Sequence, residues 1–146
     1  MQVTFQLTHP QAKAPVYATS GSAAADLCAV LDQPITLEPG QRAMIPTGIA
    51  IELPNAGYVA LVCARSGLAV KQGITLSNGV GVIDSDYRGE IKVGLVNLGQ
   101  AAYTIQPGER IAQLMIMPVV QANFVQADSL QQTDRGEGGF GSTGKL

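Results

Sequence analysis

Turn-forming residues interrupt this chain so often that neither a long helix nor a long strand fits between them. Glycine occurs 17 times and proline 8 times in 146 residues. The interruptions recur at short intervals: Gln33-Pro34, Pro39-Gly40, Asn55-Ala56-Gly57, Ser77-Asn78-Gly79, Tyr87-Arg88-Gly89, Leu98-Gly99 and Pro107-Gly108. Glycine reaches backbone angles closed to other residues and proline removes an amide donor, so each cluster ends a regular element. Between them lie short runs of β-branched and apolar residues: Val3–Leu7, Ala43–Ile51, Tyr58–Cys63, Gly79–Ile83, Ile91–Val96, Tyr103–Ile105 and Ile111–Val120. Ile91, Val93 and Leu95 alternate with Lys92 and Gly94, the period of a half-buried strand. Short strands at this spacing predict an all-β fold, a jelly-roll-like antiparallel β-barrel. One short helix is expected, with Ser66 capping Gly67 to Lys71 and Gly73 as the stop. A helix start directly after Arg65 is also a place where an anion can bind.

The bulk numbers narrow the class of partner. Charged residues are 14% of the chain, against about 25% in an ordinary soluble domain, while hydrophobic residues reach 46%. So few charges predict that part of the surface is covered by further copies of the chain. A net charge of −2 and a pI near 5.2 argue against nucleic acid, which favours a basic stripe. A small polyanion can still bind where a few arginines converge. No apolar run approaches the roughly 20 residues of a membrane span, and Met1 to Pro10 lacks the pattern of a secretory leader. Cys28 and Cys63 show no metal-binding spacing and His9 is the sole histidine. Two buried free thiols in a cytoplasmic protein are therefore expected, and zinc is not.

Residues 1–134 are expected to form the barrel, with the polar stretch Gln121 to Asp134 as a strap leading out of it. Residues 135–146 form a flexible, glycine-rich C-terminal tail. Gly136 to Gly141 and Gly139 to Gly144 each read G-x-G-x-x-G, but that fingerprint works only between a strand and a helix, and neither is expected here. The tail thus carries phosphate chemistry, with Arg135, Ser142, Thr143 and many glycine amides, plus the aromatic Phe140. It must borrow its scaffold from elsewhere.

The densest segment runs from Asn78 to Glu90. Read as a hairpin, its Asp and Ser residues make local turns and Gly89 supplies a positive φ. A calcium loop beginning at Asp84 fails, because Arg88 and Leu95 fall where carboxylates are needed. What remains is a carboxylate, Asp84, at the end of an apolar strand with an aromatic three residues on; it is either part of the turn or a catalytic group. Taken alone, Arg65-Ser66-Gly67 is a weak signal. Glu109 and Arg110 read as a solvated face, and Asp26 as a single acid at a helix start or strand edge.

In this order, the segments resemble the five motifs of the trimeric dUTPase family. The first matches at Ala25-Asp26-Leu27-Cys28-Ala29 and the second at Ala64-Arg65-Ser66-Gly67-Leu68-Ala69. The third covers Asn78 to Glu90, the fourth Gly108 to Leu114 and the fifth Arg135 to Gly144. One departure is Ala24-Ala25, where the family usually has Gly and a larger apolar residue.

The resemblance implies a homotrimer with shared active sites that splits dUTP into dUMP and pyrophosphate with Mg²⁺. Such an enzyme supplies dUMP for thymidylate synthesis and limits uracil in DNA. Asp84 matches the general base, and Asp26 the acid that helps hold Mg²⁺ through its water shell. Asn78, Val82 and Ile83 match the hairpin that reads uracil, and Tyr87 the ring stacked under the deoxyribose. Lys92 reads either as facing the nucleotide or as a surface lysine. Arg65, Ser66, Gly67 and Gln113 match phosphate-gripping positions. In the tail, Phe140 would stack on uracil, Arg135 would meet the γ-phosphate, and Gly141 and Ser142 would wrap the triphosphate as a closing lid. The alternatives carried by the same fold are a dCTP deaminase-like enzyme and a catalytically silent nucleotide sensor or regulator.

Overall fold

A computed structural model describes residues 1–139. Among the described residues twelve strands and one short helix follow one another, and every paired strand is antiparallel. The largest sheet has five strands in the order β2 (Val16–Tyr17), β3 (Ala25–Cys28), β12 (Arg110–Pro118), β7 (Tyr58–Ala64) and β9 (Gly81–Ile83). A three-stranded sheet sets β10 (Lys92–Asn97) between β5 (Arg42–Pro46) and β8 (Ile74–Leu76). Two ribbons complete the body, β1 (Thr4–Leu7) with β6 (Ile49–Glu52) and β11 (Tyr103–Ile105) with β4 (Ile35–Leu37). The all-β jelly-roll expectation holds, but the barrel does not close: the strand ladders stop at the margins of these four sheets, and isolated bonds such as that from the Ile91 amide to the Ile49 carbonyl at 2.7 Å cross between them. Their joint is apolar instead, a core that includes Leu27, Ile45, Ile49, Ile74, Ile91, Leu95, Ile105 and Ile111.

Alternation decides which side chains enter that core. Ala25 and Leu27 are buried while Asp26 and Cys28 are half-buried, and Val93 and Leu95 are buried while Lys92 is exposed. The two cysteines are free and half-buried, not buried as their apolar surroundings in sequence suggest, because the strand period sets both on outward positions.

The run Ala43–Ile51 is not one strand. It breaks at Thr47-Gly48, where Gly48 has φ 66° and a Cβ would lie 2.5 Å from that of Ala12. Buried Thr47 turns this corner by donating its hydroxyl to the Ile91 carbonyl at 2.6 Å. A second buried polar residue, Asn97, ties three segments together. Its Nδ2 donates to the carbonyls of Leu37 and Ala101 at 2.8 Å, and its Oδ1 accepts from the Gly99 amide at 2.8 Å. Burial without these partners would cost about 1–3 kcal/mol per group.

After Pro118 the chain leaves the body. Residues 119–132 form no helix or strand, and Val120, Phe124, Val125 and Leu130 are each at least 79% exposed.

Candidate active site

Two clusters of functional side chains stand on the five-stranded sheet. The first lies around its end strand, β9, whose outer edge has no backbone partner among the described residues. An unpaired strand edge offers a row of amide donors and carbonyl acceptors, here those of Val82 and Ile83. The β8–β9 turn is made by Gly79 at φ 75°. It directs Asn78 so that its Nδ2 lies 3.8 Å from where a Cβ on Gly81 would stand. Asp84 follows directly on β9 and begins a turn closed by the Tyr87 amide donating to the Asp84 carbonyl at 3.2 Å. An open cavity of about 490 Å³ is lined by Val82, Ile83, Asp84, Tyr87 and Lys92, with Met44, Glu90 and Ile91. The expected base, sugar-stacking ring and Lys92 therefore share one space.

Glu90 fixes the cavity's far wall. Its Oε1 accepts from the Gly48 amide at 2.8 Å, its Oε2 lies 3.8 Å from Lys92 Nζ, and its carbonyl accepts from the Tyr87 hydroxyl at 3.0 Å. Arg88 closes the preceding turn through the carbonyls of Ser85 and Tyr87, at 2.8 and 3.1 Å. Gly89 is not among the glycines with positive φ. The expectation that it supplies one is corrected: the turn is built by the Tyr87 amide bond to the Asp84 carbonyl and by Arg88 side-chain bonds to carbonyls, and Gly89 has a different, steric reason.

The second cluster is built by register. Gln113 of β12 stands opposite Asp26 on one side and Cys63 on the other. The Asp26 carboxylate takes Arg65 Nε on Oδ1 at 3.1 Å and Arg110 Nη1 on Oδ2 at 3.0 Å. Arg65 Nη1 also donates to the Arg110 carbonyl at 3.2 Å. Two guanidinium groups thus converge on one carboxylate whose side chain is only 11% exposed, and Arg110 is not on a merely solvated face. The helix α1 (Ser66–Gln72) starts one residue earlier than predicted. Arg65 is its N-cap and no side chain caps it, whereas Gly73 ends it as expected at φ 73°. Ser66 is the first helical residue, so its hydroxyl and the first amides of the helix are left for another acceptor.

Glu109 is likewise engaged. Its carboxylate accepts a short hydrogen bond from the Tyr103 hydroxyl and another from the Gln106 amide at 2.8 Å. Burial, then the hydrogen bond and charge of Glu109, push the Tyr103 phenol up to about 12. This bond pins the Gln106–Glu109 turn that leads directly into Arg110. The signal for Arg110 was absent from spacing alone, because its contact depends on β3 lying beside β12, whereas Tyr103 reaches Glu109 across the turn between β11 and β12.

The two clusters do not meet within one chain. On β7, Gln113 is opposite Cys63 while Ile83 is opposite Ala60, about 10 Å apart at the rise of a strand. Asp84 lies beyond Ile83, further from Asp26. Arg135 joins neither cluster: its Nε donates to the Gly138 carbonyl at 2.8 Å inside its own turn. Phe140, Gly141 and Ser142 lie outside the described residues. Among the described residues no group of three or more His, Cys, Asp or Glu side chains is placed to hold a metal ion.

An antiparallel jelly roll carrying an acid beside a strand edge and an arginine pair beside a helix start suits the binding of an anionic ligand. The family model for dUTPase matches residues 10–144. The chain is 59% identical over 132 residues to the deoxyuridine 5'-triphosphate nucleotidohydrolase of Desulfitobacterium hafniense, covering 90% of this chain and 87% of the other. It is 56% identical over 131 residues to the protein of that name from Burkholderia cenocepacia, covering 90% and 88%. Among solved structures it resembles the Staphylococcus bacteriophage 80alpha dUTPase, in its G164S mutant with dUpNHpp. The TM-score is 0.89, with 27% identity and 98% of each chain covered. The chain belongs to the dUTPase family.

Proposed function

We propose that this chain hydrolyses dUTP to dUMP and pyrophosphate with Mg²⁺, at sites assembled between three copies of itself. The observation that carries the reading is the Asp84 cavity, where a carboxylate, a tyrosine ring and an unpaired strand edge meet. The edge amides and carbonyls of Val82 and Ile83, with the Asn78 amide, match the alternating donors and acceptors of uracil. Tyr87 packs under the deoxyribose and leaves no room for a 2′-hydroxyl. Asp84 accepts a proton from a water that attacks the α-phosphorus; the bond to the bridging oxygen breaks and pyrophosphate leaves.

Arg65, Ser66, Gly67 and Gln113 receive the phosphates, with Arg135 on the γ-phosphate and Phe140 on the base. Residues 135–146 act as the lid that brings these two, with Gly141 and Ser142, onto the substrate. Mg²⁺ carried by the triphosphate would supply charge neutralisation there. Asp26 is the acid that reaches the metal's water shell. Arg110, with a side chain 55% exposed, is the arginine able to yield its place on that carboxylate.

The separation of the two clusters on β7 supports sites completed by other copies. So does the outer face of the sheet, where the cross-strand neighbours Met115, Leu61 and Val82 present apolar side chains away from the core. The apolar side chains of the strap likewise call for cover. Sedimentation tests the assembly: a stable monomer at micromolar protein overturns it. Among the described residues no helix is long and apolar enough to cross a membrane. The two free thiols suit a reducing cytoplasm, and the role there is supply of dUMP and exclusion of uracil from DNA. No observation favours the deaminase or the silent sensor. The deciding experiment is pyrophosphate release from dUTP, dTTP, dCTP and UTP with and without Mg²⁺. Equal rates on all four nucleotides overturn the substrate reading.

A further inference from the structure

Gly89 has an ordinary backbone conformation, so its lack of a side chain serves something other than a turn. A Cβ built there would stand 2.6 Å from Cζ and 3.0 Å from Cε2 of Tyr87, and would collide with the hydroxyl oxygen outright. The Tyr87 ring therefore rests directly on the Gly89 backbone. Its hydroxyl is tied to the next residue, donating to the Glu90 carbonyl at 3.0 Å. Glu90 is itself held to the Thr47–Gly48 corner through the Gly48 amide, and Ile91 through the Thr47 hydroxyl. A ring whose tip is seated against a glycine and tied to an anchored carbonyl is restricted in its tilt.

We infer that Gly89 is a positioning residue for sugar selectivity: it sets the tilt of Tyr87 and thereby the discrimination between deoxyribose and ribose. The inference rests on reading the Asp84 cavity as the dUTP site, and it assigns to Gly89 a task distinct from holding the fold. Any side chain at 89 lifts the ring from its seat, and the gap beside the sugar C2′ then changes by the size of a hydroxyl. Glycine and tyrosine act as one device, so their effects should not add.

The experiment is kcat/KM for dUTP and for UTP in the full chain, in Gly89→Ala, in Tyr87→Ala and in the double variant. Gly89→Ala is expected to lower the dUTP-to-UTP ratio by about tenfold or more. In the Tyr87→Ala background, where no ring remains to displace, the same substitution should leave the ratio unchanged. A purely structural role would lower both activities together and keep the ratio. A selective wild-type chain whose Gly89→Ala variant keeps the wild-type ratio overturns this inference alone. A wild-type chain that uses UTP as well as dUTP overturns the site reading and this inference with it. Should Gly89→Ala fail to fold, Tyr87→Phe decides: it frees the ring tip from the Glu90 carbonyl and should lower the ratio, and an unchanged ratio refutes the inference.

Discussion

Asp26 of β3 and Arg65, the residue after β7, hold each other at 3.1 Å across the intervening strand β12, and the same carboxylate steadies Arg110 with its second oxygen. A carboxylate that orients two guanidinium groups keeps them preorganised for a larger anion. It also competes with that anion. Neutralising it in Asp26→Asn should cost about 1–3 kcal/mol of stability, because two charge-assisted bonds weaken at a site mostly shielded from water. The KM for dUTP should rise by about tenfold as the arginines lose their alignment. Thermal unfolding and steady-state kinetics check this, and an unchanged melting temperature together with an unchanged KM would refute it.

Asp84 is exposed at the end of an edge strand, so its loss should leave stability intact. In Asp84→Asn the amide cannot take a proton from water, and kcat should fall by about 10²–10⁴. The Kd for dUTP, read by calorimetry, should stay within about threefold of wild type, since base and sugar contacts remain. Turnover near the wild-type rate would remove Asp84 from the role of base.

Tyr103 gives a prediction in pH. Its phenol is pushed up to about 12, above the value near 10 of an unfolded chain. The folded state therefore holds this proton more tightly. The stabilisation is complete below pH 10 and fades as pH rises from 10 towards 12. Tyr103→Phe should be less stable than the parent at neutral pH, and the difference should shrink across that alkaline window. A constant difference in unfolding midpoint from pH 8 to pH 11 would contradict the assignment.

Removal of residues from Arg135 onward should spare the fold, because among the described residues none of those in the core lies there. The strap before it remains, so sedimentation should not change. Activity should drop by about a hundredfold or more as the contacts to base and γ-phosphate go. Full activity in the truncated chain would deny the tail its role as a lid.

Much of this molecule could be read from local chemistry. Tyr103–Ile105, the alternation through Val93 and Leu95, and the stop at Gly73 are all set by residues adjacent in sequence. So was the grouping of Asp84 with Tyr87, three residues apart on one turn. What stayed hidden depends on distant neighbours. β3 has no β-branched residue, and its four positions are a strand because β12 lies beside them. The corner at Thr47-Gly48 is invisible inside an apolar run, because it is made by Glu90 and Ile91, which lead into β10 beside β5. Arg110 is solvent-facing as its sequence suggests, but nothing nearby in sequence shows that Asp26 waits across the ladder. Gly89 was assigned a conformational role where the ring of Tyr87 gives it a steric one.

The spacing of the two clusters along β7 also has a meaning for inheritance. Under the proposal that sites are built between copies, competence belongs to a population of chains and not to any one of them. An allele lacking Asp84 and an allele lacking Arg65 damage different halves, so a mixed assembly of the two can still contain an intact pairing. Two alleles damaged in the same half have no such recourse. Complementation in a cell carrying both would map the halves as surely as coordinates do.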